Sequence, residues 1–362
     1  MKKEVEQLRS KLNLWRNQAE ARPLSMDADD LTSLCNEATR LLEQDYSSDV
    51  VHLADEIYGF AADRGLALRV ELHRKYSKYA SAPKEVFWSR WQLVDTLALL
   101  KRCDEAVDEQ LDFYKWSRQQ LTAEYTLQTL YDSTQAQCWV AIGRFDDWAT
   151  LYFEGVALLE SRDTQRRTQC LFLRTGAEMF LQQGRFDDAY EQVVQLEHIN
   201  NEKPEWADYL VFWGGAITAR LEIFRRQNQW SEYEKVVQQA LVVLRKQFEA
   251  LPDDRQEQEK VYQIAHDVGC CLVWAKHYTR AKPLLEFVAG RQGSGITHLF
   301  LAACIWRADK DRAATLKYLR LAQQTTKDNW LLRGRYRQFF LEMEDFADVH
   351  EDAEFLEAFR EE

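Results

Sequence analysis

A six-residue phrase, Gly184-Arg185-Phe186-Asp187-Asp188-Ala189, has a near-copy 41 residues upstream, Gly143-Arg144-Phe145-Asp146-Asp147-Trp148. A motif that returns after 20 to 50 residues marks an array of small structural units. The residue types say what the unit is. Glycine ends a helix because it takes the left-handed C-cap at little cost. The aromatic then packs between two helices, and the aspartates fall in the next helix's first turn, where the dipole favours negative charge. The phrase therefore reads as a helix-turn-helix hinge.

The same hinge position recurs at Cys103, Phe145, Phe186, Trp230, Tyr278 and Arg312, with steps of 42, 41, 44, 48 and 34 residues. A repeat near 42 residues leaves two helices of nearly 18, each about 27 Å long at 1.5 Å per residue. Apolar periodicity predicts helices over 84–101, 104–121, 123–142, 145–160, 164–183, 186–199, 204–227, 230–250, 254–275, 278–290, 295–308 and 311–326. Upstream, Met1–Glu20 carries Val5, Leu8, Leu12 and Trp15 at helical spacing, and Pro23 with Ser25–Asp27 breaks it. A second helix spans Asp29–Gln44. A third, capped by Ser48 or Asp49, runs to Ala62, and Gly65 separates it from a fourth ending near Ala80. These four fit either a small bundle or degenerate first repeats. With only 5 prolines and 13 glycines in 362 residues and no strand pattern, the fold class is all-α, built from antiparallel helix pairs.

The repeats resemble the tetratricopeptide repeat. Ala177 and Phe180 match the small and aromatic positions of that family's first helix, Gly184 and Phe186 its hinge, and Ala189 the residue where the helices cross. Ala265, Gly269, Leu272, Tyr278 and Ala281 repeat the pattern. The copy at Leu221, Phe224 and Trp230 departs from it, with Tyr233 in place of the crossing alanine. The steps exceed the family's usual 34 residues and are similar to the long repeats of bacterial peptide-sensing regulators and kinesin light chains. The segment Asp345–Val349 through Glu354–Phe359 resembles the piece that closes many bacterial arrays of this family. The resemblance implies a right-handed superhelix (an α-solenoid) over 83–328, with 1–82 as the N-terminal bundle or degenerate repeats and 329–362 as a capping region with an acidic end.

The family also implies a function: a protein-interaction scaffold or adaptor whose concave groove, lined by the first helix of each pair, holds a peptide or partner segment. Carried onto this chain, the groove positions are Gln137, Arg174, Glu178, Thr218, Glu222, Arg225, His266 and Arg307. Relatives that hold the acidic tails of heat-shock chaperones place lysine, asparagine and arginine at such points. Here Ser133 and Gln137, then Arg174 and Glu178, stand there, so a segment carrying both charges, or a helix with an apolar stripe, suits the groove better. A second reading is a regulator in which a bound peptide changes the superhelix pitch. A metal protein or an enzyme is the third.

Other features bear on those classes. The net charge of −12 is uneven: Glu342–Glu362 carries ten acids against one arginine, leaving about −3 for the rest, while Arg307–Arg337 carries nine bases against three acids. An acidic segment beside a basic one would compete with nucleic acid for it. We expect the acidic end to fold onto that basic stretch, including Arg320, Arg333, Arg335 and Arg337, with Phe346, Val349, Phe355 and Phe359 covering the last apolar face. His266, Cys270, Cys271 and His277 are the nearest approach to a ligand cluster, but no second half-site accompanies them. No GxSxG, HExxH, GxxxxGK[ST] or GxGxxG motif is present. The expectation is no catalytic residue, metal or cofactor, and a core role for Trp88, Trp139, Trp213 and Trp306. Seven scattered cysteines, no apolar run of about 20 residues and no apolar signal core in Met1–Glu20 lead us to expect a cytoplasmic protein.

Overall fold

The computed structural model describes residues 2–21, 28–161, 164–203, 208–325 and 335–359. Among these the fold is all-α, with no strand. Two compact units divide the chain, Met1–Met179 and Phe180–Glu362.

The first unit contains α1 (Lys2–Ala21), α2 (Ala28–Gln44), α3 (Ser48–Gly59), α4 (Ala62–Tyr79), α5 (Pro83–Leu99), α6 (Cys103–Gln120), α7 (Ala123–Gln128), α8 (Ser133–Ala141), α9 (Phe145–Val156) and most of α10 (Arg166–Gln182). Consecutive helices pack on one another from α1 to α6. In addition α1 packs on α3, and α5 on α8, so the first helices of successive pairs touch. The four N-terminal helices thus follow the packing order of those after them. Their core joins Leu8, Leu12, Leu41, Val51, Ile57 and Tyr58, and Trp88 of α5 lies against it. The break at Pro23 and Ser25–Asp27 lies outside the described residues.

The second unit begins with the last turn of α10. It continues through α11 (Phe186–Asn201), α12 (Tyr209–Arg226), α13 (Trp230–Glu249), α14 (Arg255–Trp274), α15 (Tyr278–Gln292), α16 (Gly295–Ala308), α17 (Arg312–Gln324), α18 (Arg335–Glu342), a 3₁₀ turn at Glu344–Phe346 and α19 (Ala353–Glu357). Packing again runs between consecutive helices, and the first helices α12, α14, α16 and α18 form a contiguous row. Gly269 marks a close crossing: a Cβ there would sit 2.8 Å from Leu285 of α15. Tyr233, standing three residues into its helix where Ala189 and Ala281 stand in two other pairs, is buried and spans to the next pair, its hydroxyl donating to the Cys271 carbonyl at 3.2 Å.

All six hinge residues are the first residue of a helix, and each hinge holds a left-handed residue two positions earlier: Lys101, Gly143, Gly184, Asn228, Lys276 and Lys310, with φ between 55° and 71°. Five of the hinges close with the same pair of hydrogen bonds. Arg185 N–H reaches Phe180 O at 2.9 Å and Gly184 N–H reaches Leu181 O at 3.2 Å; the bonds at Arg102, Arg144, Gln229 and His277 repeat this spacing. This Schellman closure satisfies carbonyls that a helix end leaves open. Three hinges add a salt bridge across the turn, Arg102–Glu105, Arg144–Asp147 and Arg185–Asp188, at 2.7, 2.9 and 2.6 Å. The first-turn acids therefore serve two ends, the helix dipole and the hinge arginine.

Four expectations need correction. The helix expected over 123–142 is two, α7 and α8, separated by Thr129–Asp132. The break is stable because its carbonyls find partners: Gln110 Nε2 donates to Thr129 O at 2.7 Å, and Thr175 Oγ1 donates to Tyr131 O. Asp132 then caps α8, accepting from Thr134 and Gln135 N–H. Gly65 does not separate helices but lies inside α4, where a Cβ would collide with the Tyr58 carbonyl. The hinge aromatics are unequally buried: Phe145 is buried, Phe186 and Tyr278 half-buried, and Trp230 47% exposed.

The fourth concerns the C-terminal segment. Its apolar half is as expected: Phe346 and Phe355 are fully buried, Phe340 lies 4.9 Å from the Phe346 ring and 5.2 Å from Phe359, and Val349 is buried. The acids meet the start of the expected basic stretch, Arg307, Lys310 and Arg312, and Lys276 outside it, but not Arg320 or Arg337. Asp345 accepts from Tyr278 Oη at 2.5 Å and pairs with Lys276 at 3.2 Å. Asp348 accepts from Trp306 Nε1 and pairs with Arg307 and Lys310, and Arg312 holds Asp352 and Glu354. Arg320 and Arg337 are exposed and take part in none of these pairs. Arg333, the Arg335 side chain and residues 360–362 lie outside the described residues. Burial of the phenylalanines brings the segment against the hinges of α14–α15 and α16–α17, which fixes the cations within reach.

Candidate functional site

In the first unit, Gln137 is exposed on α8. Arg174 and Glu178 are one turn apart on α10 and only loosely joined: Arg174 Nε lies 3.7 Å from Glu178 Oε1. That is an ion-pair distance but too long for a hydrogen bond, and among the described residues this N–H, itself buried, has no acceptor. Burial pushes the Glu178 carboxyl above its ordinary range, against the pull of Arg174. Side chains with 37% and 44% exposure that do not satisfy each other are open to a third party.

In the second unit the remaining positions are more committed. Thr218 Oγ1 donates to Gly214 O of its own helix at 3.0 Å. Glu222 is nearly enclosed and accepts from Arg225 and Arg226 at 2.6 to 2.8 Å. Burial raises its pKa, but the two guanidinium groups outweigh that and hold the carboxyl below its usual range. His266 Nδ1 is 3.1 Å from Thr297 Oγ1 on α16, and its Nε2 is 3.5 Å from Cys270 Sγ. Burial lowers its pKa, so it stays neutral at pH 7. Arg307 is engaged by the C-terminal segment, donating to Glu344 O at 2.8 Å besides pairing with Asp348.

His277 stacks on Tyr233, with ring centroids 5.7 Å apart. Burial drives the Cys270 and Cys271 thiols up, which keeps them protonated. Among the described residues no group of three or more His, Cys, Asp or Glu side chains is placed to hold a metal ion. Trp139 is fully buried and donates to Gln110 Oε1 at 2.6 Å, while Trp213 is buried and Trp88 and Trp306 are half-buried.

Sequence reasoning missed one constellation. Asp55 of α3 lies 2.8 Å from His73 Nε2 and accepts from Arg69 Nε at 2.6 Å, both on α4. Ser89 of α5 lies 3.3 Å from His73 Nδ1 and donates to His73 O at 3.1 Å. The residue types are those of a nucleophile triad. Yet His73 and Ser89 are fully buried, beyond reach of a substrate, and Arg69 extends the network to Gln92 at 2.6 Å. Burial lowers the His73 pKa despite its bond to Asp55. Burial raises that of Asp55, but bonds from His73 and Arg69 bring it below normal. The cluster ties three helices together. No spacing in the sequence could have announced it, since its members come from three separate helices.

No protein-family model matches this sequence, and no curated protein matches it. Among the described residues, no helix is long and apolar enough to cross a membrane.

Proposed function

We propose that the chain is a protein-interaction module of the tetratricopeptide type, acting as a scaffold or adaptor that holds a partner segment against the first helices of its pairs. The observation that carries this reading is the loose Arg174–Glu178 pair: a buried guanidinium N–H with no acceptor among the described residues, beside a carboxyl whose pKa burial raises. A partner segment offering an acceptor to Arg174 and a donor to Glu178 would satisfy both, and desolvated charged hydrogen bonds are worth roughly 1.5–3 kcal/mol each. The direct packing of first helices on one another supports the reading: α12, α14, α16 and α18 form a continuous row, and α1 touches α3 and α5 touches α8. Seven free thiols suit a cytoplasmic setting.

The test is retention of a partner captured from the native cell by the full chain. Arg174→Ala and Glu178→Gln should each weaken retention by about tenfold or more, with the melting temperature within a degree of wild type. Unchanged retention by both would remove this surface from consideration. Glu222→Ala is a poor probe, since it strips two arginines of their carboxylate and confounds binding with folding.

A further inference from the structure

An open cleft of about 460 Å³ in the second unit takes no part in the proposed function. It lies where α13 runs into α14, beside the last turn of α15. Four of its lining residues, Arg255, Gln258, Glu259 and Tyr262, follow one another at helical spacing and so share one stripe of α14. Leu251 of the α13–α14 connection and Arg291 of α15 complete the lining. The walls are preformed. Gln258 Nε2 donates to Pro252 O at 2.7 Å, and its Oε1 accepts from Tyr262 Oη at 3.2 Å, which fastens the connection to the stripe. Asp254 fixes the same connection by accepting from Gln256 and Glu257 N–H at 2.9 and 3.0 Å. The Phe287 ring of α15 lies 5.6 Å from Tyr262 and stacks on Phe248 of α13 at 3.9 Å, joining the three helices around the cleft.

Two cations line this space, and neither is firmly held. The Arg291 guanidinium rests 4.3 Å over the Phe287 ring. Its hydrogen bond among the described residues is to the Phe287 carbonyl, long at 3.5 Å, and no carboxylate there pairs with it. Arg255 pairs with Glu259 at 3.1 Å, but its side chain is 88% exposed, and such pairs contribute little. Two arginines against one glutamate leave the lining with one net positive charge.

We infer that the cleft binds a small organic monocarboxylate, its apolar body against Leu251 and Tyr262 and its carboxylate on Arg291, with Arg255 as the second cation. The volume lies within the range of small-molecule sites. The planar guanidinium fork matches the two oxygens of a carboxylate. Stacking on Phe287 already restricts Arg291, so little ordering remains to be done when a ligand arrives. One negative charge balances the lining, whereas a phosphate dianion would bring a second that Glu259 repels. The inference does not rest on the reading above, since Arg174 and Glu178 belong to the other unit.

The experiment titrates phenylpropionate against the full chain at low salt, followed by ligand-observed NMR, with phenylpropionamide and phenyl phosphate alongside. A fragment of this size should bind with a Kd of roughly 1 mM. The amide should bind at least about tenfold more weakly, and phenyl phosphate no more tightly than the carboxylate. Arg291→Gln, on an exposed side chain, should keep the melting temperature and weaken phenylpropionate about fivefold or more. Glu259→Gln should instead tighten it about threefold, because the lining gains a net positive charge and Arg255 loses its partner. Arg174→Ala should leave it unchanged, which separates this cleft from the surface proposed above. No binding of phenylpropionate at about 20 mM, or equal binding of acid and amide, would overturn the inference. So would indifference to Arg291→Gln and Glu259→Gln alike, or tighter binding of phenyl phosphate.

Discussion

Replacing Gly184 with alanine and Lys101 with glycine should change stability by similar amounts in opposite directions. Both residues sit two positions before a helix start with left-handed φ, 71° and 57°. Among the described residues nothing lies within 4 Å of where a Gly184 Cβ would be, so the alanine meets no clash there and its cost is conformational. An L-residue in that region costs roughly 1–2 kcal/mol. Against this, alanine has less freedom than glycine to lose from the unfolded chain, about 0.5–1 kcal/mol. The net loss for Gly184→Ala is about 0.5–1 kcal/mol, and Lys101→Gly should gain the same. Lys101 is the suitable partner because Lys276 and Lys310 also contact the C-terminal segment. In a unit of roughly 180 residues these changes correspond to melting shifts of about 1–4 °C. Urea unfolding at fixed pH, with the slope checked for constancy, gives the values. If the two substitutions moved stability in the same direction, the shared hinge geometry would not be what those residues provide.

Phe186→Ala should cost about 1–3 kcal/mol, less than the roughly 3–5 kcal/mol of a fully buried ring, because Phe186 is only half-buried; equality with Phe346→Ala in urea unfolding would contradict this. Deleting 345–362 should lower stability as much in 1 M salt as in 0.1 M, since Phe346 and Phe355 are fully buried whereas exposed pairs such as Arg312–Asp352 are weak and screened by salt. A loss reproduced in the full chain by salt alone would make charge the main fastening. His73, His266 and His298 all have pKa values lowered by burial. The unfolded chain therefore binds protons first, so this stability is complete above pH 6.5 and declines as pH falls toward the folded-state values. The urea midpoint should be lower at pH 6 than at pH 7.5, and a flat profile would mean these rings are not held neutral.

The helix pairs were legible because the hinge has chemistry that survives in one dimension: Phe145 and Phe186 after glycine, acids in the following turn, apolar spacing on either side. The hinges at Lys101, Asn228 and Lys276 carry the same backbone closure without glycine, the one at Lys310 shares only the left-handed residue, and there only the period reveals them. The break between α7 and α8 was hidden because Gln110 and Thr175, far away in sequence, supply its hydrogen bonds. Likewise the acidic end was correctly expected to fold back, but burial of Phe346 and Phe355 chose which cations it meets. Site positions transferred from the family gave location on first helices and nothing about commitment. Only the structure separates the loose Arg174–Glu178 pair from Glu222, held by two arginines, and from Arg307, held by the C-terminal segment.

The central claim is that partners are held by first helices rather than second ones. A photo-crosslinking amino acid placed in the full chain at Gln137, exposed on α8, or at His266 on α14 can be compared with one at Val242, 54% exposed on α13. Irradiated in the native cell, the Gln137 and His266 variants should yield the same crosslinked protein and Val242 none of it, with Arg174→Ala reducing the yield at Gln137. Crosslinks to that protein from Val242 alone would place binding on second helices and contradict the account.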